Sequence, residues 1–118
     1  MRRVAKRKQA VLKAAAQWRR DYLAEHWLCM TACGKRATEC HEISRGVNRF
    51  ASLTERCALL ALCHDCHAEV QGWPLVKQYA LKCHVTPLEY DRVKLNRLRG
   101  RADDAITEEE VLEEMRKL

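Results

Sequence analysis

The spacing of the cysteines constrains this chain more than any other feature of its sequence. The chain contains 118 residues and seven cysteines, an odd number that excludes a fully paired set of intramolecular disulfides. Four of them form two short-range pairs, Cys29 with Cys33 and Cys63 with Cys66. Two such pairs on separate turns can converge into the tetrahedral set of four sulfurs that structural zinc requires. We therefore expect a structural zinc ion on these four cysteines.

The residues around the two pairs favour a metal site over the alternatives. Gly34 directly follows the first pair, and glycine permits the positive φ that a turn folded around a metal ligand adopts. Buried free thiols are one alternative interpretation. A redox dithiol of Cys63 and Cys66 is another, but the chain lacks the βαβ pattern expected around such a dithiol. His64 lies inside the second pair and is an alternative ligand in place of one cysteine.

Length and composition indicate one small globular domain spanning residues 1–118. Charged residues make up 32% and hydrophobic residues 47% of the chain, which is typical of a folded protein with a single core. Four glycines and two prolines are too few for a turn-rich β-sandwich or barrel. No run approaches the roughly 18 apolar residues of a membrane span, and no apolar segment near the start resembles a secretory signal. We therefore expect a cytoplasmic protein with no membrane partner, in a reducing compartment where clustered cysteines commonly bind metal.

Hydrophobic periodicity predicts an α+β chain that is mainly helical. The N-terminal helix has no Gly or Pro, and its apolar stripe contains Val11, Leu12, Ala15 and Tyr22 at helical spacing. The apolar run over residues 58–62 is interpreted as a buried strand, with helix as the alternative because of its leucine and alanine content. The predicted elements are helix 4–25, strand 37–43, strand 58–62, helix 65–71, helix 75–83, helix 87–98 and a helix from 107 onward.

Capping patterns predict two helix starts in the last third of the chain. Thr86 and Glu89 form a capping-box pattern around Pro87, which is a favoured first helical residue, so we expect a helix over residues 87–98. Thr107 repeats this pattern, with three glutamates following it where the helix dipole favours negative charge. The side chains of this last helix that we expect to face the core are Val111, Leu112, Met115 and Leu118.

The distribution of charge favours a polyanionic partner. The net charge of the chain is +6, with +6 in residues 1–28, +4 in residues 29–100 and −4 in residues 101–118. A basic body with an acidic tail suits nucleic acid, and we expect DNA to be the partner. A solvated surface of mixed charge is the alternative interpretation.

Three segments of the sequence resemble the zinc-supported HNH endonucleases. These are CMTACG over residues 29–34, ECHEI over residues 39–43 and LCHDCH over residues 62–67. The resemblance implies a small ββα-metal core, in which two strands, an irregular loop and a helix are braced by a structural zinc. It divides the domain into a basic helix (1–28), an HNH-like zinc core (29–72) and a helical extension with an acidic tail (73–118). It also suggests a bacterial or phage-encoded protein.

The resemblance also implies roles for single residues. His41 matches the general base that would deprotonate a water molecule for attack on a phosphodiester. His67 matches one ligand of a catalytic divalent metal, and Cys40 falls at the position of the other; the metal would be Mg²⁺, Mn²⁺, Ni²⁺ or Zn²⁺. Independently of the resemblance, Arg45 and Arg49 follow the first predicted strand and are candidates for phosphate contact, with solvent-facing arginines as the alternative.

Three positions depart from the family pattern and define an alternative function. Cys40 stands where the family has Asp or His, Ala58 where it has Asn, and Gln71 where it often has His or Asn. Asn48 is a candidate replacement for the missing Asn. We expect a metal-dependent HNH-type DNA endonuclease, and the alternative is a non-catalytic, zinc-stabilised nucleic-acid-binding module of the same fold.

Overall fold

A computed structural model describes residues 2–44 and 52–118, with side chains described from residue 5 onward. The fold is α+β and mainly helical, as predicted. A single 3-10 turn at Arg56–Ala58 precedes the second strand. The helices and strands given for the described residues are α1 (Arg2–Glu25), β1 (Glu39–Glu42), β2 (Leu59–Leu62), α2 (His64–Val70), α3 (Leu75–Val85), α4 (Arg92–Leu98) and α5 (Glu108–Met115).

Helix α1 is only partly packed against the rest of the molecule. Ala15 and Tyr22 are buried, but residues 5–14 are exposed on every side. Val11 and Leu12, which we expected to face the core, are 49% and 42% exposed because the helix begins beyond the edge of the core. None of the helices within the described ranges combines the length and apolarity needed to cross a bilayer.

Strands β1 and β2 form a two-stranded antiparallel sheet. His41 lies opposite Leu60, and Glu42 lies opposite Leu59. All four residues of β2 are fully buried, which explains why a run of leucine and alanine adopts a strand here although helix was the alternative by propensity. Because successive side chains of a strand point to opposite faces, Cys40 and His41 address different parts of the molecule.

The C-terminal helices contribute buried side chains to the core. Helix α3 packs against α5, which begins with the predicted capping box at Thr107. Val111 is buried and Met115 is partly buried, as expected. Leu112 and Leu118 were expected to face the core, but they are 46% and 48% exposed. The helix buries only a narrow stripe that leaves Leu112 outside, and it ends at Met115, before Leu118.

The prediction that a helix begins at Pro87 is wrong. Helix α4 begins at Arg92, and the side chain of Asp91 caps it by accepting a hydrogen bond from the Lys94 amide. The carboxylate of Glu89, which the capping-box pattern assigned to the local backbone, instead lies in a network of partly buried polar groups. A short-range cap was therefore outcompeted by long-range pairing.

This network joins α1 to the C-terminal helices. The amine of Lys82, which is fully buried, donates to the Glu89 carboxylate at 2.7 Å and to the Tyr22 hydroxyl at 3.1 Å. His26 and Arg56 also lie on the same carboxylate, at 3.0 and 3.1 Å. Burial raises the pKa of Glu89, but hydrogen bonds and charges, led by those of Lys82, outweigh burial and lower this pKa to about 2. Burial lowers the pKa of Lys82.

Candidate metal centre and histidine cleft

The four cysteines of the two predicted pairs come together, which confirms their predicted convergence. The sulfur atoms of Cys29, Cys33, Cys63 and Cys66 all lie within 4.8 Å of one another. The sulfurs of Cys33 and Cys63, which belong to different pairs, are 3.8 Å apart. Since four sulfurs at such distances surround one point, the cluster can hold a structural metal ion such as zinc.

The first pair lies on a tight turn between two short extended segments. Leu28 and Arg36 form an isolated antiparallel bridge at the base of the turn, and the amide of Ala32 donates to the carbonyl of Cys29 at 3.0 Å. Ala32 and Gly34 have φ angles of 62° and 88°, so the chain folds back twice within a few residues. Gly34 therefore occupies the conformation expected from the sequence.

The second pair lies at the start of α2. Cys63 is the N-cap of this helix, and its sulfur accepts a hydrogen bond from the amide of Cys66 at 3.4 Å. The hydroxyl of Thr31 lies 3.1 Å from the sulfur of Cys66 and ties the first turn to the helix. An ion pair of 2.7 Å between Lys35 and Asp65 links the same two segments at the surface.

The thiols of Cys33 and Cys66 have unequal pKa values. A hydrogen bond from the Lys35 amide and one from the Thr31 hydroxyl lower the pKa of Cys33 to about 6. The Thr31 hydroxyl lowers the pKa of Cys66, but burial and the neighbouring sulfurs outweigh it and raise this pKa to about 12. The protein's own donors thus favour a thiolate at one of these two sulfurs and not at the other. A divalent cation would stabilise all four thiolates, and a set of four sulfurs is a common donor set of structural zinc.

His64, the alternative ligand, does not join the cluster. Its side chain is 82% exposed, and its Nδ1 pairs with a carboxylate oxygen of Glu39 at 2.7 Å. The second cysteine pair therefore reaches the cluster through its two sulfurs, while the histidine between them faces solvent.

Beside the cluster, His41 from β1 faces His67 from α2. The two ring centroids are 5.1 Å apart, and the planes meet at 67°. Glu39 lies on the same face of β1 as His41, two residues earlier, and its carboxylate pairs with Nδ1 of His67 at 2.6 Å. Hydrogen bonds from His67 and His64 lower the pKa of Glu39. Two imidazoles and one carboxylate thus meet at the contact between sheet and helix.

Cys40 is not brought to this group. Its sulfur lies on the opposite face of β1, 4.0 Å from the carbonyl oxygen of Arg19 in α1. Burial raises the pKa of this thiol. The predicted pairing of Cys40 with His67 on one metal is therefore absent from the part of the chain that the structure describes, where Glu39 contacts His67 instead. The predicted Arg45, Asn48 and Arg49 lie outside the described residues.

A cleft of about 320 Å³ opens beside His41, a volume at the lower end of the range for small-ligand sites. His41 is only 2% exposed, and its Nε2 lies 2.6 Å from the side-chain oxygen of Gln78. Gln71, at the position where the HNH family often has His or Asn, lines the same cleft. The other lining residues are Glu42, Ile43, Trp73, Leu75 and Arg99.

Ala58, at the position of the family Asn, is fully buried and accepts a backbone hydrogen bond from Ile43 at 2.8 Å. Its carbonyl therefore anchors the chain that leaves β1, and its methyl side chain offers no polar group to the cleft.

Sequence reasoning missed three residues that lie around His41 and His67. Glu39 could have been found from strand alternation, because it lies two residues before His41 on a predicted strand. Gln78 and Arg99 belong to α3 and to the end of α4, and no local pattern connects them with β1.

Comparison of the chain with protein-family models, with curated proteins and with solved structures found no match.

Proposed function

We propose that this protein is a metal-dependent endonuclease of the HNH class that hydrolyses phosphodiester bonds in DNA. The observation that carries the proposal is the convergence of His41 and His67 beside the four-cysteine cluster. The order of the elements supports it, since β1, β2 and α2 follow one another as two strands and a helix. The four cysteines would hold the structural zinc that braces this unit.

In the proposed reaction, His41 is the general base. It would take a proton from the water molecule whose oxygen attacks phosphorus, while the bond to the leaving oxygen breaks. Gln78, 2.6 Å from Nε2, holds the imidazole in place. Since Nε2 faces Gln78, the ring must exchange this partner for water, or use Nδ1, when substrate binds.

His67 is the proposed ligand of the catalytic metal. Its Nδ1 pairs with Glu39, an arrangement that fixes the ring and leaves Nε2 for a cation. When bound, a divalent ion would stabilise the negative charge that develops on the phosphate and on the leaving oxygen. Cys40 has no part in this proposal, because its sulfur faces α1.

The charge of α1 supports DNA as the partner. Residues 2–13 contain six Lys or Arg, and the first acidic residue of the chain is Asp21. The exposed residues 5–14 present part of this charge to solvent on all sides of the helix. Such a helix attracts phosphates in a salt-dependent manner, whatever the base sequence.

A non-catalytic nucleic-acid-binding module of the same fold is the second candidate. It is favoured by the 2% exposure of His41, whose ring is engaged by Gln78, and by the orientation of Cys40. This module would bind DNA in a salt-dependent way and leave it intact under every divalent ion.

Plasmid nicking by matched histidine variants distinguishes the two candidates. Supercoiled plasmid is incubated with Mg²⁺, Mn²⁺, Ni²⁺ or Zn²⁺ and the wild type, His41→Ala, His67→Ala or the control His84→Ala, whose histidine is exposed on α3. We expect His41→Ala to nick at least about 100-fold more slowly, with unchanged zinc content and circular dichroism, because the general base is lost. Equal nicking by wild type and His41→Ala would refute the mechanism. DNA binding without nicking by the wild type would establish the second candidate.

A further inference from the structure

We propose that Arg99 is the phosphate-binding residue of the cleft beside His41. This inference rests on the proposed function, since it assigns a contact to the backbone of the same nucleic-acid substrate. Arg99 ends α4 and lines the cleft together with His41, Gln71 and Gln78. It comes from the helical extension, outside residues 29–72, so the site would be built from two parts of the chain.

One side of the Arg99 guanidinium is anchored. Its Nη1 donates to the carbonyl oxygen of Ile43 at 2.9 Å, directly after β1 ends. This bond fixes the guanidinium next to the strand that carries His41. The edge formed by Nε and Nη2 lies on the opposite side of the planar guanidinium from Nη1.

The other edge of Arg99 makes no hydrogen bond to any residue that the structure describes. Its Nε is buried and has no acceptor there. Buried donors are nearly always satisfied, so such a nitrogen at a cleft calls for an acceptor that the described chain does not provide. Two oxygens of a phosphate have the spacing needed to accept one hydrogen bond each from Nε and Nη2.

The neighbouring Arg97 illustrates the geometry of this edge. Its Nε and Nη2 each donate at 2.7 Å to a different oxygen of the Asp103 carboxylate. Arg97 is thus satisfied within the chain, whereas the same edge of Arg99 lacks an anion among the described residues.

The remaining charges of the cleft are compatible with an anion. Glu42 is the acidic residue among those lining it, and its carboxylate forms an ion pair with Arg19 of α1. Gln71 and Gln78 are neutral and offer amide donors. Among the described residues that line the cleft, Arg99 therefore carries a positive charge that no carboxylate neutralises. The proposed base lines the same cleft, so a phosphodiester bound there would lie next to His41.

Side-chain nuclear magnetic resonance tests phosphate binding directly. The probe is a thymidine dinucleotide bearing a 5′ phosphate, added to the ¹⁵N-labelled, zinc-loaded full chain without a catalytic metal. We expect the Nε–H resonance of Arg99 to shift in a saturable manner, while that of Arg97, already paired with Asp103, stays in place. No saturable shift at Arg99, or an equal shift of both resonances, would overturn the proposal.

Cleavage by arginine variants tests the same residue during the reaction. Arg99→Gln should lower the nicking rate at saturating DNA about 100-fold, as removal of one donor to a developing negative charge does elsewhere. Arg99→Lys should recover only part of the rate, because an ammonium cannot bind two oxygens side by side. Arg97→Gln, the control, should nick like the wild type, and all variants should keep their zinc.

The inference and the proposed function can fail separately. Nicking by Arg99→Gln within twofold of Arg97→Gln would refute the role of Arg99 and leave His41 as the base. A wild type that never nicks would refute the nuclease, and the resonance titration would then still decide whether Arg99 binds phosphate.

Discussion

Two polar clusters hold this small domain together, and they are neutralised in opposite ways. The four-cysteine cluster contains ligands of one kind, which repel one another when ionised and which a cation from outside would neutralise. The network around Glu89 contains its own cations, because Lys82, His26 and Arg56 all lie on one carboxylate. If the first cluster holds its metal as proposed, it depends on metal supply, whereas the second depends only on the fold.

The two clusters also differ in what they connect. The cysteines lie on two local turns, and a metal would join the turn around Ala32 to the start of α2. The Glu89 network joins Tyr22 of α1 to Lys82 of α3 across 60 residues of sequence. Loss of metal should therefore damage one part of the molecule, whereas loss of the ion pair should weaken the whole domain.

The largest expected effect comes from removing one metal ligand. Cys63→Ser should abolish stoichiometric zinc binding and unfold the region around β1, β2 and α2, since metal binding supplies about 10 kcal/mol in small zinc modules. Elemental analysis and thermal unfolding followed by circular dichroism measure both effects. Cys57→Ala, at a buried cysteine outside the cluster, is the control and should keep its zinc. Retention of zinc and of the melting temperature by Cys63→Ser would show that Cys63 is not a required ligand of the metal.

A smaller effect is expected from breaking the ion pair. Lys82→Met leaves the carboxylate of Glu89 without its closest cation, and removal of one partner of a buried pair costs about 3 kcal/mol or more. Urea denaturation should show this loss at unchanged zinc content. Adding Glu89→Gln to Lys82→Met should restore part of the stability, and strictly additive losses would mean that the two residues are not coupled.

The smallest effect, measured per pH unit, is a change in the acid dependence of stability. The pKa of Glu89 is about 2 in the folded protein against 4.5 for an ordinary glutamate, so its contribution is fully present above pH 4.5 and is lost as the pH falls toward 2. The difference in unfolding free energy between wild type and Glu89→Gln should therefore shrink over this interval, by at most about 1.4 kcal/mol per pH unit. Urea titrations at several pH values measure it, and a constant difference would contradict the assigned pKa.

The features that follow from local chemistry were predictable from the sequence. The cysteine pairs are each closed by a single turn, so their spacing alone indicated a cluster. The predicted strand over residues 58–62 was confirmed as Leu59–Leu62. It was predictable because a short, wholly apolar run is stable only where both of its faces are buried. The capping box at Thr107 was also confirmed, since its partners lie within one helical turn.

The features that depend on distant residues were not predictable. Glu89 carries a sound local capping signal, yet it pairs with Lys82 and Tyr22, and α4 consequently begins at Arg92. The exposure of Val11 likewise depends on where the core ends, which the periodicity of one helix does not reveal.

Within the site, local spacing found His41 and His67 but not the groups that support them. Arg99 reaches the cleft from a helix that begins 50 residues after β1 ends, and only the folded arrangement brings it to Ile43.

X-ray absorption at the zinc edge tests the central claim most directly, namely that four cysteines hold the metal that braces the strands and helix carrying His41 and His67. We expect one zinc per chain, surrounded by four sulfur atoms at about 2.3 Å and by no nitrogen. A shell containing imidazole nitrogen, or a purified chain free of zinc, would contradict the account.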